Sequence, residues 1–116
     1  MANETAERHL PLKADVLEIM LAIAEEPMHG YAILSHVRER TQGRVALETG
    51  PLYRRLRRLL DDGLVQEVEA PDDTGGGDDR RRYYAPSELG RRVLALEAER
   101  LETVVRRQRA LGLLGG

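Results

Sequence analysis

The sequence predicts a mainly α-helical domain with one β-hairpin and a long final helix, and three observations support this fold class. Apolar residues recur at helical spacing in four segments of the 116-residue chain. A shorter alternating segment and a matching strand segment flank a loop rich in Gly and Asp. The last helical segment has more apolar residues than a small core needs. A chain of this length fits a single domain.

The first two helices are predicted on either side of a short turn. Residues 1–9 are polar and are expected to form a flexible N-terminus. Leu10 to Glu26 has a helical apolar stripe and ends before Pro27, which disfavours helix in the residue that precedes it. Tyr31 to Thr41 is the second predicted helix, with Tyr31 on its apolar side.

The third predicted helix begins at Thr49, which can cap it, and stops at Gly63. Its apolar residues form one stripe and comprise Leu52, Leu56, Leu59 and Leu60. The arginines that point away from this stripe on a helical wheel are Arg54, Arg57 and Arg58. The third helix therefore has leucines on one face and arginines on the opposite face, and it follows another short helix. The major groove of DNA admits a helix of this kind.

A hairpin and a final helix complete the predicted fold. Leu64 to Ala70 alternates as a strand, and Tyr83 to Ala85 is the matching strand. Pro71 to Asp79 lies between them as a long tip. Ser87 begins a helix that extends to about Leu111. Together, the elements predict a winged helix-turn-helix with an appended C-terminal helix.

Charge is segregated along the chain, although the net charge is only −2. Arg38 to Arg58 contains seven Arg and two acids, whereas Leu59 to Asp79 contains eight acids and no base. Because the distribution of charge decides what a surface attracts, the basic segment is compatible with a nucleic-acid partner. The negative net charge favours the alternative to a nucleic-acid binder, which is a winged-helix protein-interaction module that does not bind DNA.

The sequence predicts no metal, cofactor or enzyme activity. It contains no cysteine, which excludes disulfides and thiolate metal sites. His29 and His36 lack a suitably spaced third ligand, and Ser35 cannot face its helical neighbour His36 as a catalytic pair would. No apolar run is long enough to cross a bilayer, and the N-terminus lacks the apolar core of a signal peptide. We therefore expect a cytoplasmic protein without a membrane partner.

Three segments resemble, in order and spacing, the PadR family of bacterial transcriptional regulators. They are MHGYAILSHV at Met28 to Val37, GPLYRRLRRLLDDGLV at Gly50 to Val65 and DDRRRYYAPSELGRRVL at Asp78 to Leu94. The short C-terminal part is similar to the small subfamily with a single terminal helix. The resemblance implies a dimeric repressor that binds a palindromic operator on double-stranded DNA. Some relatives sense phenolic acids or drug-like cations, so the resemblance also admits a small-molecule effector, which the sequence does not identify.

Seven residues are predicted to contact DNA: Tyr53, Arg54, Arg57, Arg58, Arg80, Arg82 and His36. The arginines of the third helix would meet base edges or phosphates. The alternative for Arg58 is an ion pair with Asp61 or Asp62 at helical spacing. Arg55 lies nearer the leucine side, where it would flank the core or meet a phosphate.

The wing arginines also have two interpretations. Strand alternation puts Arg80 and Arg82 on one face and Arg81 on the other, so not all three can meet DNA. The alternative to DNA contact is cross-strand pairing with Glu67 and Glu69. The aspartates of the wing tip would be repelled by phosphates, so we expect the tip not to contact the duplex.

Three other positions near the third helix bear on the predicted interface. Tyr53 borders the buried stripe, where it either packs on the second helix or reaches the DNA backbone. His36 is expected to be exposed on the surface or to touch a phosphate. At Pro51 the chain has GPLY where family members commonly have GTLY, and Pro lacks the hydroxyl and the N–H that could each reach a phosphate.

The final helix is predicted to form a dimer. Partial heptads place four residues in the subunit interface: Leu94, Leu101, Val104 and Val105. The alternative is an intramolecular clamp on its own domain. The predicted organisation is therefore a DNA-binding domain at 10–86, a dimerisation helix at 87–112 and a flexible tail at 113–116.

Overall fold

The computed structural model describes residues 2–71 and 81–115. Its elements are α1 (Ala2–Glu7), α2 (Ala14–Glu25), α3 (Gly30–Arg40), α4 (Thr49–Asp61), β1 (Val65–Val68), β2 (Tyr83–Pro86) and α5 (Glu88–Ala110). The two strands pair antiparallel, with Val65 opposite Pro86 and Val68 opposite Tyr83. This arrangement confirms the predicted class: mainly helical, with a hairpin wing and a long C-terminal helix.

One apolar core joins α2, α3, α4 and the first half of α5. Its large buried side chains include Ile19, Met20, Ile23, Ile33, Val37, Leu52, Leu56, Leu59 and Val93. The stripe predicted on α4 is buried: its first three leucines are each at most 4% exposed, and Leu60 is half-buried. Burial of this stripe orients α4 and leaves its opposite face toward solvent.

The turn between α2 and α3 is tied to both the wing and α4. Met28 exchanges two backbone hydrogen bonds with Tyr84 of β2, with N···O distances of 3.2 and 2.9 Å. His29 is the N-cap residue of α3, and its Nδ1 accepts a hydrogen bond from the first turn of that helix. Gly30 lies so close to the ring of Tyr53 that a Cβ there would collide with it. The helix-turn-helix and the wing therefore form one packed unit.

Two predicted helix starts are wrong in detail. α2 begins at Ala14 and not at Leu10, because the backbone just before it is bonded to Glu97 of α5. Thr49 does not cap α4 but is its first residue, and Glu48 occupies the N-cap position without a side-chain hydrogen bond. The first difference arises because the chain entering α2 is positioned by its contact with α5.

The N-terminal segment that the sequence predicts to be flexible contains helix α1. This helix packs against α5, and Ala6 is fully buried. The segment is polar apart from its alanines, so it has little apolar periodicity of its own. The contact with α5, which no local pattern reveals, accounts for its order.

Helix α5 has two halves with different surroundings. Ser87 caps it, as its Oγ accepts a hydrogen bond from the N–H of Gly90 at 3.0 Å. Gly90 packs on the backbone that precedes β1, and Val93 and Glu97 are buried. The predicted alternative, an intramolecular clamp, therefore describes this first half. From Leu101 to residue 115, every side chain is half-buried or exposed.

Glu97 is a buried carboxylate, 1% exposed, that joins α5 to the N-terminal segment. Its Oε2 accepts hydrogen bonds from the N–H of Leu12 at 2.9 Å and from Nη2 of Arg100 at 3.2 Å. The hydrogen bonds from Arg100, with that from Leu12, hold the pKa of Glu97 below its ordinary value. Because the pKa is lowered on folding, the stabilisation is present above the unfolded-state pKa and is lost as pH falls through the folded-state pKa.

We expect Glu97→Gln to melt at a lower temperature than the wild type near neutral pH. The difference should shrink as the solution is acidified, because a protonated carboxyl loses the same ionic contact that the amide lacks. Thermal unfolding followed by circular dichroism over a pH series measures this, with Glu99→Gln on the exposed surface of α5 as the matched control. A difference in melting temperature that stayed constant at every pH would contradict the role of the ionised carboxylate.

Candidate nucleic-acid interface

The exposed face of α4 presents the arginines that the sequence predicts there. Arg54, Arg57 and Arg58 are exposed, opposite the buried leucines. Arg55 is half-buried, and its Nε donates to Oδ2 of Asp15 in α2 at 2.9 Å. Arg55 therefore flanks the core, as one of its two predicted interpretations states.

Ion pairs divide the exposed arginines of α4 into two groups. Nε of Arg58 lies 3.3 Å from Oδ2 of Asp62, the local pairing predicted as its alternative. An exposed pair of this kind is weak, so it reduces but does not remove the availability of Arg58. Within the described ranges, neither Arg54 nor Arg57 forms an ion pair. The uncompensated positive charge thus lies at Arg54 and Arg57, near the middle of α4.

A cleft between α3 and the start of α4 contains residues that the sequence did not assign to the interface. Tyr31, Ser35 and Arg38 line it from α3, facing Thr49 and Gly50. Tyr31 is 66% exposed, so its predicted position on the apolar side of α3 is wrong. The buried residues of α3 are Gly30, Ile33 and Val37. The signal that could have identified the cleft is the spacing of Tyr31, Ser35 and Arg38 at i, i+4 and i+7.

Tyr53 packs against α3, as one of its two predicted interpretations states. Its ring lies over Gly30, where only a residue without a Cβ leaves room for it. The side chain remains 44% exposed. Tyr53 therefore lies at the edge between the packed interior and the exposed face.

The structure places His36 beside α2, and its contact with a phosphate stays a prediction. The residue is half-buried in a groove between α2 and α3. Its Nε2 lies 2.8 Å from Oε2 of Glu25, and Arg40 contacts both side chains. The hydrogen bond from His36 is the main cause that lowers the pKa of Glu25. His36 thus belongs to a polar cluster that joins α2 to α3.

The wing presents two described arginines on different sides. Nη1 of Arg82 lies 3.4 Å from Oε1 of Glu67 across the hairpin, the pairing predicted as its alternative. Nη1 of Arg81 lies 3.2 Å from Nε2 of His29. Arg80 and the four aspartates of the tip lie outside the described residues.

The four residues predicted for the dimer interface lie along α5. Leu94 is half-buried and packs against the core of its own chain. Leu101 and Val104 are also half-buried, whereas Val105 is 38% exposed. The last three lie in the half of α5 that contains no buried residue.

Two other kinds of functional feature, a membrane span and a metal site, were also considered within the described residues. In residues 2–71 and 81–115, no helix is long and apolar enough to span a membrane. No group of three or more potential metal ligands occurs within the same residues. The arginine face of α4 and the adjoining wing are therefore the surface from which a function is best inferred.

The fold is that of a winged helix-turn-helix protein, and its exposed α4 face is basic. Residues 19–96 match the Transcriptional regulator PadR-like family, and the chain belongs to that family. Its members are transcriptional regulators, not enzymes. No curated protein matches the chain.

Solved structures show the same fold. A PadR family transcription regulator from Clostridium difficile has 22% identity and a TM-score of 0.70, with 85% of this chain and 98% of that chain covered. A PadR-like transcriptional regulator from Bacillus cereus has 23% identity and a TM-score of 0.69, covering 87% and 94% of the two chains. Bacillus subtilis PadR, determined in complex with operator DNA, has 18% identity and a TM-score of 0.59, covering 72% and 46%.

Proposed function

We propose that this regulator binds DNA sequence-specifically and acts as a repressor, as a homodimer on a palindromic operator. The single observation that supports this best is the pair Arg54 and Arg57 on the exposed face of α4, which has no acidic partner among the described residues. The buried leucines behind them hold that face in a fixed orientation. Support also comes from the similarity in fold to Bacillus subtilis PadR, whose structure contains operator DNA.

The proposed contacts follow from position and charge. Arg54 and Arg57 meet base edges and phosphates in the major groove, since Arg to guanine is the commonest specific contact. Arg58 contributes after exchanging Asp62 for a phosphate, and Tyr53 borders the same face. Of the remaining predicted contacts, Arg80 and Arg82 belong to the wing. His36 is kept only as a flanking position, because Glu25 and Arg40 engage it.

We assign the two functional parts to residues 10–86 and 87–112. The first contains the DNA-contacting elements, and the second is the dimerisation helix, with Leu94, Leu101, Val104 and Val105 in the interface. The half of α5 beyond Glu97 has an apolar stripe that its own chain does not bury, which supports this assignment. A DNA-binding regulator acts in the cytoplasm, at the nucleoid.

A fluorescence anisotropy titration with labelled genomic fragments tests the proposal. Binding should weaken steeply with salt, because each phosphate contact contributes about −0.9 to the slope of log K against log salt. Fragments that contain the operator should outcompete an excess of unlabelled mixed-sequence DNA. Absence of binding even at low salt would instead favour a winged-helix protein-interaction module, which the net charge of −2 favours.

We expect the base of the wing, and not its tip, to support DNA binding. Deleting residues 74–77 should leave affinity nearly unchanged, because the acidic tip gains nothing near phosphates. The double variant Arg80→Ala and Arg82→Ala should weaken binding and flatten its salt dependence, since fewer counterions are released. Anisotropy titrations at several salt concentrations measure both effects. The opposite pattern would mean that the tip engages the partner.

A further inference from the structure

A basic groove lies on one side of α4, between this helix and residues 9–16. Four cationic side chains line it: Lys13, Arg54, Arg55 and Arg58. Asp62 also lines the groove and pairs with Arg58, while Asp15 pairs with Arg55. The lining cations and their ion-pair partners therefore carry four positive and two negative charges. This excess of positive charge favours an anion in the groove.

Arg55 is held at one nitrogen of its guanidinium and is open at the other two. Its Nε donates to Oδ2 of Asp15 at 2.9 Å, and its side chain is 41% exposed. Within residues 2–71 and 81–115, Nη1 and Nη2 of Arg55 have no hydrogen-bond partner. Because the guanidinium is planar and its donors have a fixed geometry, a carboxylate on Nε also orients the two terminal nitrogens. Arg55 can therefore bind a second anion without leaving Asp15.

Lys13 is the cation that the segment before α2 contributes to the groove. It is exposed, and no ion pair in the described part of the chain engages its ammonium group. It occupies the N-cap position of α2, but its side chain makes no capping hydrogen bond. The fold therefore makes no use of the Lys13 charge.

The groove extends the arginine face of α4 to one side. Arg54 and Arg58 belong to both surfaces, since they are exposed on α4 and also line the groove. The major groove of DNA is about 12 Å wide, so a helix inside it lies between two sugar-phosphate backbones. If α4 occupies the major groove, the side that Lys13 and Arg55 border is the side toward one of these backbones.

We propose that this groove binds a phosphate of the DNA backbone, that Lys13 and Arg55 contact it, and that Asp15 is a positioning residue for Arg55. The proposal rests on the proposed function, because α4 must lie in the major groove. The terminal nitrogens of Arg55 donate to phosphate oxygens while Nε stays on Asp15, and Lys13 adds a point charge. Contacts of this kind fix the register of α4 on the duplex and carry no sequence information.

Lys13→Ala should reduce the steepness of log K against log salt by about 0.9, the value for one phosphate contact. Arg92→Ala removes one exposed cation from α5 and is the matched control, which should leave the slope unchanged. Anisotropy titrations of a labelled mixed-sequence duplex measure both slopes. An unchanged slope for Lys13→Ala, with a wild type that binds the duplex, would overturn the contact and leave the proposed function intact. A wild type that does not bind would refute the proposed function and the groove contact with it.

Arg55→Lys retains the charge but lacks the planar fork that can contact a carboxylate and a phosphate together. We expect it to weaken binding to operator and mixed-sequence DNA by the same factor, about fivefold, which is the upper range for an exposed ion pair. A loss confined to the operator would mean that Arg55 meets a base, and would overturn the phosphate contact.

Asp15→Asn separates positioning from simple charge. Removal of a carboxylate near a phosphate strengthens binding by charge alone, whereas loss of the orientation of Arg55 weakens it. We expect Asp15→Asn to weaken binding in the wild-type background, and not to weaken it in an Arg55→Lys background, where no fork remains to be oriented. Stronger binding in both backgrounds would overturn the positioning role. Equal weakening in both would show that Asp15 acts on the fold alone, and would also overturn it.

Calorimetric titration with inorganic phosphate at constant ionic strength distinguishes the DNA backbone from a free phosphorylated molecule. We expect no binding with a Kd below about 1 mM, because a lone ion lacks the other contacts that hold a duplex in place. Tighter binding that Lys13→Ala abolishes would assign the groove to a free phosphorylated molecule and overturn the proposal. Melting curves of each variant establish that it is folded.

Discussion

Leu101→Glu is expected to convert the proposed dimer into monomers and to abolish operator binding at concentrations where the wild type is saturated. Leu101 is half-buried on α5, at the start of the half that its own chain leaves without a buried residue. In the proposed dimer this side chain lies in an apolar seam, where a carboxylate without a partner is strongly unfavourable. A single winged helix covers too little DNA for useful specificity, because palindromic sites require two recognition helices about 34–36 Å apart.

Analytical ultracentrifugation and an operator titration of the same sample test both consequences. Thr103→Glu is the matched control, because Thr103 is exposed and lies off the apolar stripe of α5. It should remain dimeric and bind normally. A Leu101→Glu variant that stayed dimeric would show that the dimer interface lies elsewhere on the protein. A monomeric variant that kept full affinity would show that binding does not need two subunits.

The double variant Arg54→Ala and Arg57→Ala should lose most of its specific binding. A base-edge contact contributes about 1–3 kcal/mol, so loss of Arg54 alone should relax specificity at one position of the operator. Loss of Arg57, if it meets a phosphate, should weaken binding to all sequences about equally. The leucines behind both residues are unaffected, so the fold should persist.

Titrations with operator and mixed-sequence DNA separate these two effects. The double variant Arg91→Ala and Arg92→Ala removes the same charge from an exposed part of α5 and is the matched control. Equal losses in both double variants would mean that total charge, and not the face of α4, governs binding. Normal operator binding by the α4 variant would show that the assigned face is wrong.

Much of the fold could be predicted because local rules and packing agree. The leucine stripe of α4 recurs at helical spacing, and the same leucines are buried. Gly63 has φ +77°, a conformation that glycine adopts readily, and it follows the end of α4 as predicted. Ser87 caps α5 with its side chain at the position that the sequence indicated. In each case one short segment contains all the information that its structure requires.

The candidate site was less predictable, because it depends on which side chains meet. Exposure of Arg54, Arg57 and Arg58 follows from helical geometry. The ion pairs of Arg58 with Asp62 and of Arg82 with Glu67 depend on distances that the spacing of these residues in the sequence permits but does not fix. The sequence is compatible both with each of these ion pairs and with contact to DNA.

The sequence by itself determined the hairpin and the helices α2 to α5 of this protein, the arginine face of α4 and the membership of a regulator family. Only the tertiary structure decided the contacts between distant segments: α1 on α5, His36 with Glu25, and His29 with Arg81. The physical reason is the range of the interactions. Periodicity, caps and turns act within a few residues, whereas burial and hydrogen bonding join residues that only the packed chain brings together.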